Sequence, residues 1–324
     1  MKQRNYFITG GCGFIGSNFI RYILNKYPDA LVINYDILTY AGNTENLKEF
    51  KDDSRYILKQ LDVCNFNALN FQIRTFQPDV VVHFAAETHV DRSINSGEDF
   101  VKTNVLGTYN VLEACRQNNV PKVIYISTDE IYGSIKKGSS KETDQLMPRN
   151  PYSASKASGD LMASAFYNTY KLPVIITRSS NNFGPYQYPE KLIPLFITNL
   201  IEGKKVPLYG SGEHIRDWIH VEDNCAGIDA VINKGSIGQV YNIGGGNERT
   251  NIEITQEVLK QFGLPWKDWV EKVADRKGHD FRYSLDSSKL KKLGWKPQHK
   301  FKEAIRSTVD WYIRNTNWWT PLKK

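Results

Sequence analysis

Residues 9 to 17 read TGGCGFIGS, and no other stretch narrows the possible folds so far. The apolar run YFIT (6–9) leads into it, and Ile15, Phe19 and Ile23 follow at helical spacing. A strand that turns sharply through glycines into a helix is the opening unit of a dinucleotide-binding βαβ fold. Gly10, Gly13 and Gly16 permit the tight turn, the approach of backbone to a pyrophosphate, and close packing of helix on strand. The phosphates would lie at the positive end of that helix. The second apolar run, LVINY (31–35), ends in Asp36, about twenty residues on, where a carboxylate binds a ribose hydroxyl pair and repels a 2′-phosphate. The expected cofactor is therefore NAD rather than NADP.

The runs YILKQL (56–61), VVVHFAA (80–86), KVIYIS (122–127) and PVIITRSS (173–180) are short and rich in β-branched residues, as parallel strands buried on both faces require. Amphipathic stretches lie between them, with Val105, Tyr109 and Leu112 on one and Leu161, Ala165 and Tyr170 on another. This alternation predicts an α/β fold, a Rossmann-type doubly wound parallel sheet. After about residue 183 the pattern breaks into Gly- and Pro-punctuated segments such as FGPYQYPEKLIP, KKVPLYGSGEHIRDWIH and YNIGGGNERTN, with helical stretches at 252–262 and 301–315. A smaller mixed α/β C-terminal substrate domain is expected there. The predicted division is 1–182 for cofactor binding and catalysis and 183–324 for substrate, with some C-terminal segments returning to the first domain.

The composition excludes several other classes. A chain of 324 residues with 40% hydrophobic and 24% charged residues has enough material for a large core. Its formal charge of +7 comes from 42 basic and 35 acidic residues spread along the chain, which suits anionic small molecules better than nucleic acid. Cys12, Cys64, Cys115 and Cys225 lack metal-ligand spacing and read as reduced thiols, so no metal site is expected. The opening MKQRNYFITGG enters a strand directly, and no apolar run reaches membrane-spanning length. A cytoplasmic protein without membrane contact is expected.

Polar residues collect where the strands end. Asp62 follows the third strand, Ala85-Ala86-Glu87-Thr88 the fourth, Ser127-Thr128-Asp129-Glu130 the fifth and Ser179-Ser180-Asn181-Asn182 the sixth. Open α/β sheets bind ligands at that edge. The adjacent acids Asp129 and Glu130 read either as a solvated turn or as an acid/base pair, and their position favours the pair. In PYSASK (151–156), Tyr152 and Lys156 stand four apart, on one side of a helix. A nearby ammonium favours phenolate, which would bring Tyr152 towards the range of a base for a sugar hydroxyl.

With these motifs on the page, the chain resembles the extended short-chain dehydrogenase/reductases, and within them the dTDP-glucose 4,6-dehydratases. The resemblance spans nearly the whole chain. It rests on TGGCGFIGSN, LTYAGN, FAAETHVDRSI, TNVLGT, STDEIYGS, PYSASKA, SSNNFGPYQYPEKLIPL, RDWIHVEDNCAGI, YNIGGGNERTN and DRKGHDFRYSLD. The resemblance implies catalysis by Thr128, Asp129, Glu130, Tyr152 and Lys156. Tyr152 with Lys156 and Thr128 would deprotonate the C4 hydroxyl, Glu130 would take the C5 proton, and Asp129 would protonate the departing C6 hydroxyl. NAD would be held by Gly10, Gly13, Phe14, Ile15, Gly16, Asp36, Ile37, Leu38, Thr39, Asp62, Val63, Phe84, Ala85, Ala86, Thr103, Tyr152 and Lys156. The nucleotide sugar would meet Thr88, Thr128, Asn181, Asn182, Lys191, Leu192, Pro207, Tyr209, Arg216, Asn251 and His279.

Two positions depart from the family pattern: Thr88 stands where Ser is usual, and Lys277 where Pro is usual. The family also pairs helices around 99–117 and 152–170 into a dimer interface, so a homodimer is expected. The readings that compete are a UDP-glucose 4,6-dehydratase, a nucleotide-sugar epimerase, which needs no acid pair at C5 and C6, and a non-catalytic NAD-binding regulator.

Overall fold

The computed structural model describes residues 4–275 and 278–323; the departure at Lys277 lies outside the described residues. The apolar runs form the strands β1 (Arg4–Thr9), β2 (Ala30–Asp36), β3 (Tyr56–Gln60), β4 (Val80–His83), β5 (Val123–Thr128) and β6 (Val174–Ser179). The second half of the chain adds β7 (Asn181–Phe183), β8 (Val206–Tyr209), β9 (Ile215–His220), β10 (Val240–Ile243), β11 (Glu248–Thr250) and β12 (Val270–Val273). The main sheet has seven strands in the order β10-β6-β5-β4-β1-β2-β3, all paired in parallel. Strand order reverses between β1 and β4, and this switch point opens the ligand crevice at the carboxyl edge.

Side chains along each strand alternate between two cores. Tyr6 and Ile8 pack with Phe19 and Ile20 on one face, while Phe7 packs with Ile33, Val81 and Val123 on the other. Both faces are dry because helices cover both, which is why these strands read as continuous apolar runs. A third core joins Phe183, Phe196, Trp218, Ile254, Ile305 and Tyr312 around the small sheets β11-β9-β7 and β12-β8. Three of the four residues of β10 fall in the segment YNIGGGNERTN, whose glycines mask the strand. Its four residues reach the main sheet from far along the chain and complete the edge beside β6.

The end of the chain is tied down by its tryptophans. Trp319 is buried and donates to the Tyr312 carbonyl at 2.9 Å, and Trp318 donates to Asn46 Oδ1 at 2.8 Å. No helix among the described residues is long and apolar enough to cross a membrane.

At the start of the helix Val221–Lys234, the His299 ring lies 3.2 Å from Glu222 and 3.0 Å from Asp223. Hydrogen bonds that its ring donates to Asp223 and Glu222 raise its pKa from 6.5 to about 10. A folded-state pKa above the unfolded one contributes stability that is whole below pH 6.5 and lost as pH climbs through about 10. The thermal midpoint is therefore expected to fall over that window, and to fall less in His299→Gln; equal slopes in a pH-resolved melting series would count against the triad.

Candidate active site

The crevice above the switch point is a cleft of about 840 Å³. Its floor is the glycine loop. Gly10 has φ +69°, and a Cβ there would lie 2.5 Å from the Ala85 amide nitrogen. A Cβ on Gly16 would lie 2.3 Å from the Gly10 carbonyl oxygen. Helix Phe14–Lys26 starts at Gly13, which offers no side-chain acceptor, so its first amides remain available to an anion. Asp36 is buried, and its two oxygens accept from the amides of Cys12 and Leu38, each at 2.8 Å. These bonds orient the carboxylate at the end of β2 and draw the following chain around it, with Leu38 at φ +62°.

The cradle fits a dinucleotide: every NAD contact expected above lines the cleft except Leu38, which turns the backbone beneath it. Gly10→Ala is expected to lower cofactor content. A non-glycine residue in that backbone region costs about 1–3 kcal/mol, and the clash with the Phe84-Ala85 backbone just after β4 adds to it. Nucleotide released on denaturing the purified variant, at wild-type level, would count against this.

The catalytic candidates come from two neighbouring elements. Helix Pro151–Tyr170 begins with a reciprocal cap: Asn150 Oδ1 accepts from the Ser153 amide at 2.8 Å, and Ser153 Oγ from the Asn150 amide at 3.2 Å. This cap, with Pro151 in the first turn, fixes where the helix starts and so where Tyr152 and Lys156 point. The helical turn Asp129–Tyr132 follows β5 directly, capped by Thr128 Oγ1, which accepts from the Glu130 amide at 3.3 Å. Thr128 also stands beside the Tyr152 phenol, where its hydroxyl favours the ionised form.

The electrostatics separate these groups. Asp129 is 3% exposed; burial, then Glu130, then Asp217 push its carboxyl well above the usual range. Its Oδ1 accepts from Thr128 at 3.3 Å, while its buried Oδ2 has no hydrogen-bond partner among the described residues. Lys156 donates to the Ile126 carbonyl at 2.6 Å and lies 4.5 Å from the centre of the Tyr125 ring. Burial lowers its pKa to about 8, against the pull of Asp160. The expectation that Lys156 lowers the Tyr152 pKa is not met in the free chain: burial first, and Glu130 second, raise it. Lys156 is spent on a backbone carbonyl, and the pocket desolvates the phenolate more than the ammonium stabilises it.

The expected substrate contacts fall into two groups. Thr88, Thr128, Asn181, Asn182 and Lys191 line the same cleft. Asn181 and Asn182 each point a buried side-chain oxygen that lacks a partner among the described residues, as an adjacent ligand would explain. Lys191 Nζ donates to the Thr88 carbonyl at 2.9 Å. Leu192 starts the helix Leu192–Ile201, just behind the cleft wall. Pro207 and Tyr209 are on β8, and Arg216 is on β9.

Arg216 does not form the surface ion pair with Asp217 or Glu213 that short range allows among the described residues. It is buried; its guanidinium donates to the Ile215 and Asp280 carbonyls, both at 2.8 Å, and its charge reaches Asp129. Asn251 donates its amide to the His214 carbonyl, and the His214 ring stacks on His279 at 3.7 Å. Arg216 thus stands on β9 opposite Arg249 of β11, the strand that leads into Asn251, while Asn251 and His279 meet at His214. Folding also gathers His214, Asp275 and His279 with ligand atoms within 4.8 Å of one another, a grouping absent from the cysteine spacing; Asp275 already joins both rings.

Sequence reasoning missed several residues of the cleft. Tyr40 donates to Glu190 at 3.0 Å, Arg92 lies 3.7 Å from the centre of the Tyr40 ring, and Gln187 and Tyr188 close the same rim. They come from two loops and the short helix Val90–Asn95, too short to show a periodic pattern. Asp217, pushed up to about 6 mainly by burial, stands behind Asp129. Its place on a strand of the smaller sheet gave no sign of that neighbour.

A seven-stranded dinucleotide sheet with a Tyr/Lys pair beside its switch point defines an enzyme of the short-chain dehydrogenase/reductase type. More narrowly, the chain belongs to the GDP-mannose 4,6 dehydratase family, whose model matches residues 7–308. A dTDP-glucose 4,6-dehydratase of Streptomyces niveus is 47% identical over 98% of this chain and 95% of its own. The solved dTDP-glucose 4,6-dehydratase DesIV of Streptomyces venezuelae, with NAD bound, is 49% identical, superposes with a TM-score of 0.95, and covers 98% of this chain and 99% of its own. The Bacillus anthracis dTDP-glucose 4,6-dehydratase in complex with NAD is 47% identical with a TM-score of 0.93, covering 98% and 99%.

Proposed function

We propose that this chain is an NAD-dependent dTDP-glucose 4,6-dehydratase, a hydro-lyase that converts dTDP-glucose to dTDP-4-keto-6-deoxyglucose and water. The observation that carries this reading is the Asp129-Glu130 pair beside Tyr152, the first buried and the second half-buried, since an epimerase has no use for it. NAD, when bound, takes the hydride from sugar C4 and returns it at C6 once water has left. Tyr152 Oη takes the C4 hydroxyl proton, while Thr128, beside the same phenol, orients it. The ketone at C4 acidifies the C5 proton, which Glu130 removes. Asp129 carries the proton that leaves with the C6 hydroxyl, and the burial and like charges that keep it protonated support that role.

Asn181, Asn182 and Lys191 would hold the sugar end, with Arg216, Asn251 and His279 along the nucleotide diphosphate. Arg216 suits a diphosphate because its charge is permanent and its donors are several. A deoxysugar route such as that to rhamnose would consume the product, in the cytoplasm. The homodimer reading is supported by apolar side chains exposed on two neighbouring helical segments: Val101 (59%), Leu106 and Tyr109 on 98–117, and Leu161 (63%) and Tyr170 on Pro151–Tyr170. Such a two-helix face suits burial against its own copy.

The test is to incubate the purified protein with dTDP-glucose in D₂O, with and without added NAD, and to follow the nucleotide sugar by mass spectrometry and proton NMR. Loss of one water, a C6 methyl and deuterium at C5 are expected. Unchanged dTDP-glucose beside converted UDP-glucose would move the reading to the uridine substrate, and no conversion of either would overturn it.

A further inference from the structure

Arg178 is 5% exposed, and no step of the mechanism uses it. It stands on β6 with its guanidinium directed between two other elements. Nε donates to Asp160 Oδ2 at 2.7 Å, and Nη1 donates to the Tyr132 hydroxyl at 2.7 Å and to the Glu142 carbonyl at 3.3 Å. Asp160, 1% exposed, lies one turn beyond Lys156 and two beyond Tyr152, on the same side of the helix Pro151–Tyr170. Tyr132 closes the turn that begins with Asp129 and Glu130. Its hydroxyl donates onward to Asn242 Oδ1 at 2.9 Å, on β10, and Asn242 Nδ2 donates to the Ser140 carbonyl at 2.9 Å. One buried, planar guanidinium therefore holds the proton-abstracting helix with one edge and the acid-bearing turn with another.

Such a link has a use in a reaction that works twice on one sugar. Oxidation needs Tyr152 at C4, and elimination needs Glu130 at C5 and Asp129 at C6, in the same bound pose. Displacement of a catalytic group by one ångström costs roughly 10²-fold in rate. The fork geometry of arginine fixes both partners at set angles, which a lysine in its place cannot do. Asp160 also faces Lys156, whose charge it favours, so the same carboxylate that holds Arg178 supports the lysine.

We propose that Arg178, with Asp160 and Tyr132, is a positioning element that sets the Asp129-Glu130 turn against the Tyr152/Lys156 helix so that oxidation and elimination act on one substrate pose. The inference rests on the dehydratase reading above and deepens it.

The test uses the NAD-loaded enzyme in single turnover with dTDP-glucose, reading the absorbance of the reduced cofactor and the nucleotide products. Three variants are compared with wild type. Tyr132→Phe removes one oxygen, cutting the arm to the acids together with the onward bond to Asn242, and leaves the arm to Asp160 in place. Arg178→Lys keeps the charge and loses the fork. Asp160→Asn with Arg178→Met removes both charges together, so that neither is left buried alone.

Tyr132→Phe is expected to leave KM near the wild-type value, to slow water loss about 10- to 100-fold, and to prolong the reduced-cofactor signal while 4-ketoglucose nucleotide escapes. Arg178→Lys should do the same to a smaller extent, and the double variant should slow both steps. Wild-type signal lifetime and kcat in Tyr132→Phe would overturn the inference. So would an equal slowing of oxidation and water loss without accumulation, which is what loosened structure alone produces. Should the double variant fail to fold, Tyr132→Phe decides. Wild type inert towards dTDP-glucose would instead overturn the proposed function, and this inference with it.

Discussion

Tyr152→Phe is expected to lower kcat by about a thousandfold, within the 10²–10⁴ range of a positioned acid/base group. The phenol lies beside Thr128 in the cleft, and phenylalanine keeps its packing against Phe100. Cofactor content and folding should stay near wild type, because the glycine loop and Asp36 are untouched. The sign of the pKa shift sharpens the expectation. In the free chain burial and Glu130 hold the Tyr152 proton on, so proton removal depends on charge brought by the bound ligands and on Lys156 remaining protonated. Because burial sets the Lys156 pKa to about 8, kcat should fall as pH rises through that value. Rate measurements on the variant decide the matter: kcat within tenfold of wild type would remove Tyr152 from the reaction.

Glu130→Gln and Asp129→Asn are expected to stop the reaction at different points, and this separates the two acids. Without the base, the C4 hydroxyl is still oxidised, but the C5 proton is not exchanged with D₂O and water is not lost. Elimination should slow by at least about 10², and reduced cofactor should accumulate. Without the acid, C5 exchange should continue while the C6 hydroxyl stays in place. Asp129 fits the acid because burial, Glu130 and Asp217 all favour its neutral form. If Asp129→Asn lost C5 exchange and Glu130→Gln kept it, the two roles would have to be reversed. If both variants converted dTDP-glucose at wild-type rates, the pair would be a structural turn.

Much of the site is legible in sequence because its parts are local. A glycine loop between strand and helix, an acid at the end of the next strand, and a tyrosine four residues before a lysine each depend on spacing that the backbone converts directly into direction. The pair at 129–130 belongs with them, since it follows immediately on an apolar strand. The electrostatic state was less legible: Tyr152 was expected to be made more acidic by Lys156, but burial outweighs that pull, and burial is a property of everything packed around the phenol.

What the sequence by itself determined is the doubly wound sheet, the dinucleotide edge and the identity of the groups along it, because periodicity and short motifs act within one turn or one strand. Only the tertiary structure decided which distant residues share that edge. β10 closes the sheet beside β6, Arg216 turns onto the Asp280 carbonyl, Tyr40 meets Glu190, and Arg178 joins Asp160 to Tyr132. These partners lie between 18 and 150 residues apart in the chain. Contacts of that kind carry no period and no motif; they follow from how whole layers pack, and buried polar groups then take whichever partner the packing brings within reach.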